Sequence, residues 1–135
     1  MNYWLIKSEP NTYSYSDLEK IGKDHWDGVR NYAARNHMKN MKKGDLAFFY
    51  HSVNEKQIVG IAECVTEFYQ DPTTEDDRWL VVDFAPKQKL KKPVSLEEIK
   101  KEPALAEMIL LKISRLSVQP VTKKEFDHIM KMSEA

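Results

Sequence analysis

The segment His25-Trp26-Asp27-Gly28-Val29-Arg30-Asn31 sets a large aromatic ring, a flexible glycine, a cation and an amide together, just ahead of a helix-like pattern. A Trp face stacks on a nucleobase for roughly 1 to 3 kcal/mol, an Asn amide reads a base edge with paired donor and acceptor, and Arg reaches phosphate. Gly28 lets the backbone approach a ligand. The same residues also have a purely structural use, with Trp26 plugging a core and Asn31 capping the helix. The segment alone does not choose between the two. Phe48-Phe49-Tyr50-His51-Ser52 has a similar duality: strand alternation sends Phe48 and Tyr50 to one face and Phe49 and His51 to the other. Tyr50, His51 and Ser52 approach the strand end, where polar tips line a pocket mouth or simply meet water.

Other chemistries find little to work with. His25, His37, His51 and His128 lack the spacing of a zinc helix, and Cys64 has no nearby second cysteine. Cys64 falls in an apolar strand pattern, as a small buried hydrophobe does. Four glycines cannot write a dinucleotide fingerprint or a phosphate loop anywhere in the chain. No cofactor is expected.

The charge is balanced, 21 basic against 21 acidic residues, so bulk electrostatics predict no strong pull on a polyanion. Its distribution is uneven. No Asp or Glu lies between Gly28 and Gly44, where Arg30, Arg35, Lys39, Lys42 and Lys43 fall. Lys87, Lys89, Lys91 and Lys92 make a second basic block, and Glu67, Asp71, Glu75, Asp76 and Asp77 gather between the two. Solvated faces would produce the same pattern.

The elements that must position these residues follow from periodicity and punctuation. Tyr3 to Lys7 reads as a strand closed by Ser8-Glu9-Pro10-Asn11. Ser16 with Glu19 has the form of a capping box opening a short helix that ends at Gly22, and Lys23 to Arg30 reads as an irregular loop. Asn31 suits a helix N-cap, with Ala34, Met38 and Met41 as the buried stripe. Arg35, Lys39 and Lys42 share that period and form a cationic ridge predicted to hold phosphates. Asp45 to Ser52, Gln57 to Tyr69 and Arg78 to Lys87 read as three strands, with Gly60 marking a bulge or bend. Ser95 with Glu98 and Thr122 with Glu125 are further capping boxes, Pro103 is a breaker, and Leu116 to Val121 is a last strand. The expectation is one α+β domain over residues 1–135, a small curved sheet or barrel with flanking helices. No apolar run is long enough for a membrane span, and the start does not read as a signal peptide, so a cytoplasmic location is expected.

Four stretches, taken together, resemble the EVE domain. They are Trp4-Leu5-Ile6-Lys7-Ser8-Glu9-Pro10, the run from Trp26 to Asn36, Phe48-Phe49-Tyr50-His51-Ser52, and Arg115-Leu116-Ser117-Val118-Gln119-Pro120-Val121. Their order spans nearly the whole chain. The resemblance implies a PUA-like fold, a curved mixed β-sheet or pseudobarrel related to the YTH and ASCH domains, with a pocket for a flipped nucleobase. Modified cytosine in DNA is the implied ligand, with modified RNA as an alternative partner. Carried over by position, it makes Trp26 a stacking wall, Ser8 and Asn31 edge readers, and Gly28, Val29 and Arg30 the rim. Tyr50, His51 and Ser52 would form the opposite side, with Lys7, Glu9 and Trp79 as further pocket residues. The chain differs from vertebrate members in starting directly at the first strand, which reads as a minimal prokaryotic form. The competing expectation is a small ASCH-like hydrolase, an RNA nuclease or amidohydrolase, using Lys7, Glu9 and Tyr50 or His51 as acid, base and electrophile.

Overall fold

The computed structural model describes residues 1–134. Six strands form one mixed sheet. β1 (Tyr3–Ser8) runs parallel to β3 (Leu46–His51), which pairs antiparallel with β4 (Gln57–Cys64), and β4 pairs with the long β7 (Asp83–Ser95). β2 (Asp24–His25) closes one edge against β7, and β8 (Val118–Val121) closes the other against β1, giving the order β2-β7-β4-β3-β1-β8. A separate two-stranded ribbon joins β5 (Tyr69–Gln70) to β6 (Leu80–Val81).

Alternation along the central strands divides the core in two. Trp4, Ile6 and Phe49 point to one side, where they meet Leu18, Ala34, Met38 and Phe84. Leu5, Phe48 and Tyr50 point to the other, where they meet Ile99, Leu105, Phe126 and Ile129. The pairing register shifts between Phe49 and Tyr50 and again between Ile58 and Gly60, and such bulges bend a sheet. Gly60 is required there. A Cβ at this position would stand 2.5 Å from the ring of Tyr15, whose hydroxyl donates to the Ile61 carbonyl at 2.8 Å.

The helices end where the local chemistry says. α2 (Tyr32–Asn40) is capped by Asn31, whose side chain accepts from the Ala34 N–H at 3.0 Å. The Ser95/Glu98 box opens α3 (Leu96–Lys100), and Thr122/Glu125 exchanges the same pair of bonds at the start of α5 (Lys123–Glu134). A short α4 (Ile109–Lys112) lies between them. Four expectations need correction. The strand expected from Arg78 to Lys87 is broken at Val82 into β6, in the ribbon, and β7, in the main sheet, which runs on to Ser95. α1 (Tyr15–Ile21) opens on Ser14 with Asp17, not Ser16 with Glu19, because that register turns Tyr15 and Leu18 inward. The stretch from Gln57 to Tyr69 is not one strand: it stops at Cys64. And the loop expected after Lys23 holds β2, a two-residue strand made only by its pairing with Asp83 and Phe84.

Candidate functional site

The parallel strands β1 and β3 finish together, with Ser8 opposite His51. Past Ser8 the chain turns back on itself: the Glu9 carbonyl accepts from the N–H groups of Thr12 and Tyr13 at 3.0 and 2.8 Å, and the Ser8 hydroxyl donates to the Tyr13 carbonyl at 2.5 Å. Facing this turn is β2 and the residues after it, anchored by Trp26 N–H donating to the Val82 carbonyl at 2.9 Å. Between them lies a cleft of about 440 Å³, within the range of small-ligand sites. Lys7, Ser8, Glu9, Thr12 and Tyr13 line one side; Asp24, His25, Trp26 and Asp27 line the other.

Trp26 has both of the uses its sequence allowed. Its indole meets Phe49, Phe84 and Tyr13 edge-on at centroid distances of 5.5, 5.8 and 5.9 Å, so it wedges into the core. It is nevertheless only partly buried and borders the cleft. Tyr13, beside it, carries a buried hydroxyl with no completed hydrogen bond. Burial, and then the neighbouring Asp24 carboxylate, push this phenol far above its ordinary pKa, so it stays protonated at every physiological pH. The Asp24 carboxylate acts on it both through a loose hydrogen-bonding approach and through its charge, but the contact falls short of a completed hydrogen bond. The cleft is otherwise acidic. Glu9, Asp24 and Asp27 line it, with the His25 imidazole 3.7 Å from Asp24 and 3.3 Å from Asp27.

The expected rim has a different role. Gly28 adopts a left-handed conformation with φ of 75° and donates its N–H to Asp71 at 3.1 Å; Arg30 donates to the same oxygen at 3.0 Å. The Asp71 side chain is fully buried and also accepts from the Thr73 N–H and hydroxyl at 2.7 and 2.6 Å. Burial works against the charged form, but these donors prevail and hold the carboxyl at about 2. Val29 is in the core, and Asn31 spends its side-chain oxygen on the helix cap. This loop is therefore pinned away from the cleft by Asp71.

Nor do Tyr50, His51 and Ser52 supply the opposite wall. Tyr50 points to the far side of the sheet, and burial raises its phenol pKa. His51 accepts from the Tyr15 N–H at 3.0 Å and meets Glu55 at 2.8 Å; Ser52 donates its N–H to the Ser8 carbonyl, so its backbone continues the strand pairing. Lys7 borders the cleft, but its ammonium donates to the Ser114 carbonyl and sits 5.8 Å from the Tyr50 ring centre, and burial lowers its pKa. The acid, base and electrophile set of Lys7, Glu9 and Tyr50 or His51 thus does not converge on one point. Glu9 opens to the cleft and does not brace Arg30, whose partner is Asp71. Trp79 lies outside both the cleft and the core clusters, against Tyr32. In the cationic ridge, Arg35 and Lys39 lie on α2, whereas Lys42 lies beyond its last turn, where its N–H caps onto Asp45.

Thr12, Tyr13 and Asp24 are cleft residues that the sequence reading missed. Asp24 had a signal, an acid two residues before the Trp; Tyr13 had none, since only the turn after Ser8 brings it to Trp26. Cys64 is buried, and burial raises its thiol to about 11. Among the described residues no cluster of His, Cys, Asp and Glu is arranged to hold a metal, and no helix is long and apolar enough to cross a membrane.

The family model of the EVE domain matches residues 2–132. The chain belongs to the EVE domain family. Thymocyte nuclear protein 1 of Mus musculus is 39% identical over 98% of this chain and 74% of its own length. A structure from Rhodopseudomonas palustris superposes with a TM-score of 0.95 at 47% identity, covering 99% of this chain and 94% of that one. The human THYN1 protein, solved in complex with DNA containing 5-methylcytosine, superposes at 0.92 with 34% identity, covering 100% and 99% of the two chains. These neighbours share the PUA-like half-barrel with flanking helices. A mutant ASCH protein from Zymomonas mobilis matches at 0.60 with 11% identity, a likeness of fold alone.

Proposed function

We propose that this EVE protein is a non-catalytic reader that takes an extruded, modified cytosine of DNA into the cleft between the Ser8 turn and the Asp24 to Asp27 segment. One observation carries the reading: the partly buried Trp26, the acid Asp24 and Tyr13, whose buried hydroxyl completes no hydrogen bond, line the same cleft. The Trp26 ring offers a stacking surface. Asp24 offers an acceptor to the exocyclic amine of cytosine, the pairing by which carboxylates select this base. Tyr13 offers a donor to a ring carbonyl or nitrogen, and gains by binding the partner that folding denies it. Ser8 contributes its remaining acceptor capacity at the cleft mouth. The DNA-bound human relative supports the choice of ligand.

An acidic cleft disfavours phosphate but suits a neutral base bearing an amine, so the base enters while its backbone stays outside. The absence of a converging Lys7, Glu9 and Tyr50 or His51 supports binding without turnover. The lone Cys64 suits a reducing compartment, and we place the activity in the cytoplasm. The test is a titration against short DNAs, identical except for cytosine or 5-methylcytosine at one position, with cleavage followed by electrophoresis. Preference for the modified strand, with the strand left intact, is expected; equal affinity, or cleavage, would overturn the reading. RNAs of the same sequence determine whether the sugar matters.

A further inference from the structure

A second concentration of recognition chemistry lies outside the cleft, along α2 and the segment before β6. Tyr32, Arg35 and Lys39 stand at i, i+3 and i+7 of α2 and share one face. Rings and cations interleave across it. Arg30 and Arg78 each sit 5.6 Å from the Trp79 ring centre, Trp79 and Tyr32 are 5.2 Å apart, Arg35 is 5.5 Å from Tyr32, and Lys39 is 5.9 Å from Phe68. These rings are not filling a core: Tyr32 is 51% exposed and Phe68 40%.

The charges on this band differ in availability. Arg78 is engaged by Asp76 and Arg30 by Asp71. Among the described residues, no carboxylate pairs with Arg35 or Lys39. Arg35 donates only to neutral oxygens, the Arg78 carbonyl at 3.3 Å and the Asn36 amide at 2.7 Å, and its Nε is buried without a partner. A half-exposed ring next to a cation with no counter-ion is what a stacking base and its phosphate complement. The band begins a short distance along the chain from the cleft. Arg30 is four residues beyond Trp26, a reach of about 14 Å at most, on a loop fixed by Asp71.

We propose that this band binds the single strand next to the extruded base, with a neighbouring unpaired base stacked on Tyr32 and its phosphates on Arg35 and Lys39. The proposal rests on the base-reading function given above and assigns the backbone and flanking-base contacts that the acidic cleft cannot make. A paired duplex does not fit, because its bases present edges, not faces. Trp79 supports Tyr32, and Phe68 lies under Lys39, so both rings hold the 66–79 segment against α2.

Anisotropy titrations of a labelled single-stranded oligonucleotide with one central cytosine or 5-methylcytosine, over a series of salt concentrations, test this. Tyr32→Ala is expected to weaken both oligonucleotides equally, by about tenfold, while Tyr32→Phe keeps wild-type affinity. Arg35→Gln is expected to reduce the slope of log affinity against log salt by about 0.7, one single-strand phosphate contact. Unchanged affinity in Tyr32→Ala, or an unchanged slope in Arg35→Gln, overturns the proposal. So does a Tyr32→Phe variant as weak as the Ala variant, since that assigns the effect to the Arg78 contact with the Tyr32 hydroxyl. If Tyr32→Ala does not fold, the other two variants decide. Failure of the base-reading function has a separate signature: wild-type protein without preference for the modified base, with the three band effects intact.

Discussion

The two ends of the parallel pair β1 and β3 each set a tryptophan beside an aspartate, and they differ in whether the polar groups are satisfied. At the start of β3, Asp45 is buried and its oxygens accept from the Trp4 indole at 3.0 Å, the Asn2 N–H at 3.1 Å and the Lys42 N–H at 3.0 Å. Nothing is left over for a ligand. At the other end, Trp26 wedges its indole among Tyr13, Phe49 and Phe84 while Asp24 borders open space and the Tyr13 hydroxyl has no partner. A buried polar group without a partner costs the fold about 1–3 kcal/mol. Similar residues therefore stand in opposite states: the Asp45 node is satisfied and secures the strands, whereas the Tyr13, Asp24 and Trp26 cleft keeps polar groups that the proposed base-reading function would use.

Breaking the satisfied end should have the largest effect. Asp45→Ala leaves a buried indole and two part-buried backbone N–H groups without acceptors, and denaturant unfolding is expected to show a loss of about 2–3 kcal/mol. In whatever fraction remains folded, preference among bases should be unchanged. Next comes Asp71, which supports the cleft through its loop. Its carboxyl is held at about 2 against an ordinary 3.8, so the stability it contributes is complete above pH 4 and is lost as pH falls through 2. Asp71→Asn should cost about 2 kcal/mol at pH 7 and flatten the decline in stability between pH 4 and 2. A decline identical to wild type would remove Asp71 from the account.

The smallest stability change should come from the open end, and its sign is the point. Tyr13→Phe deletes a hydroxyl that folding leaves unsatisfied, so stability should hold or rise by up to about 1 kcal/mol, while affinity for a modified cytosine strand should fall by roughly tenfold, about 1.4 kcal/mol. Thermal melts and anisotropy titrations on one preparation check both. A variant that loses stability and keeps affinity would make the cleft structural, like the Asp45 node.

What the sequence revealed, and what it concealed, divides along the same line. The caps at Asn31, Ser95 and Thr122 were legible because each is made by residues three apart. Ser14 and Ser16 offered overlapping boxes, and tertiary packing of Tyr15 and Leu18 selected the first. Alternation correctly put Tyr50 and His51 on opposite faces of β3, but it carries no information about which face meets the Trp26 cleft: neither residue lines it, and His51 borders a different hollow beside Tyr15. The placing of the expected rim was not legible because the partner that holds Gly28 and Arg30, Asp71, is more than forty residues away. Family likeness located the Ser8 and Trp26 neighbourhood; the Tyr13 side of it depends on a turn whose geometry no local pattern announces.

The central claim is that the cleft reads a base through the Asp24 carboxylate. It is tested most directly by measuring the affinity ratio for 5-methylcytosine over thymine at one position of an otherwise identical oligonucleotide, in wild type and in Asp24→Asn. Both bases carry the methyl group, and only cytosine carries the amine. Wild type should show a clear preference for 5-methylcytosine that collapses in the variant, with melting temperature and strand affinity outside the cleft preserved. A ratio that is the same in both proteins would contradict it.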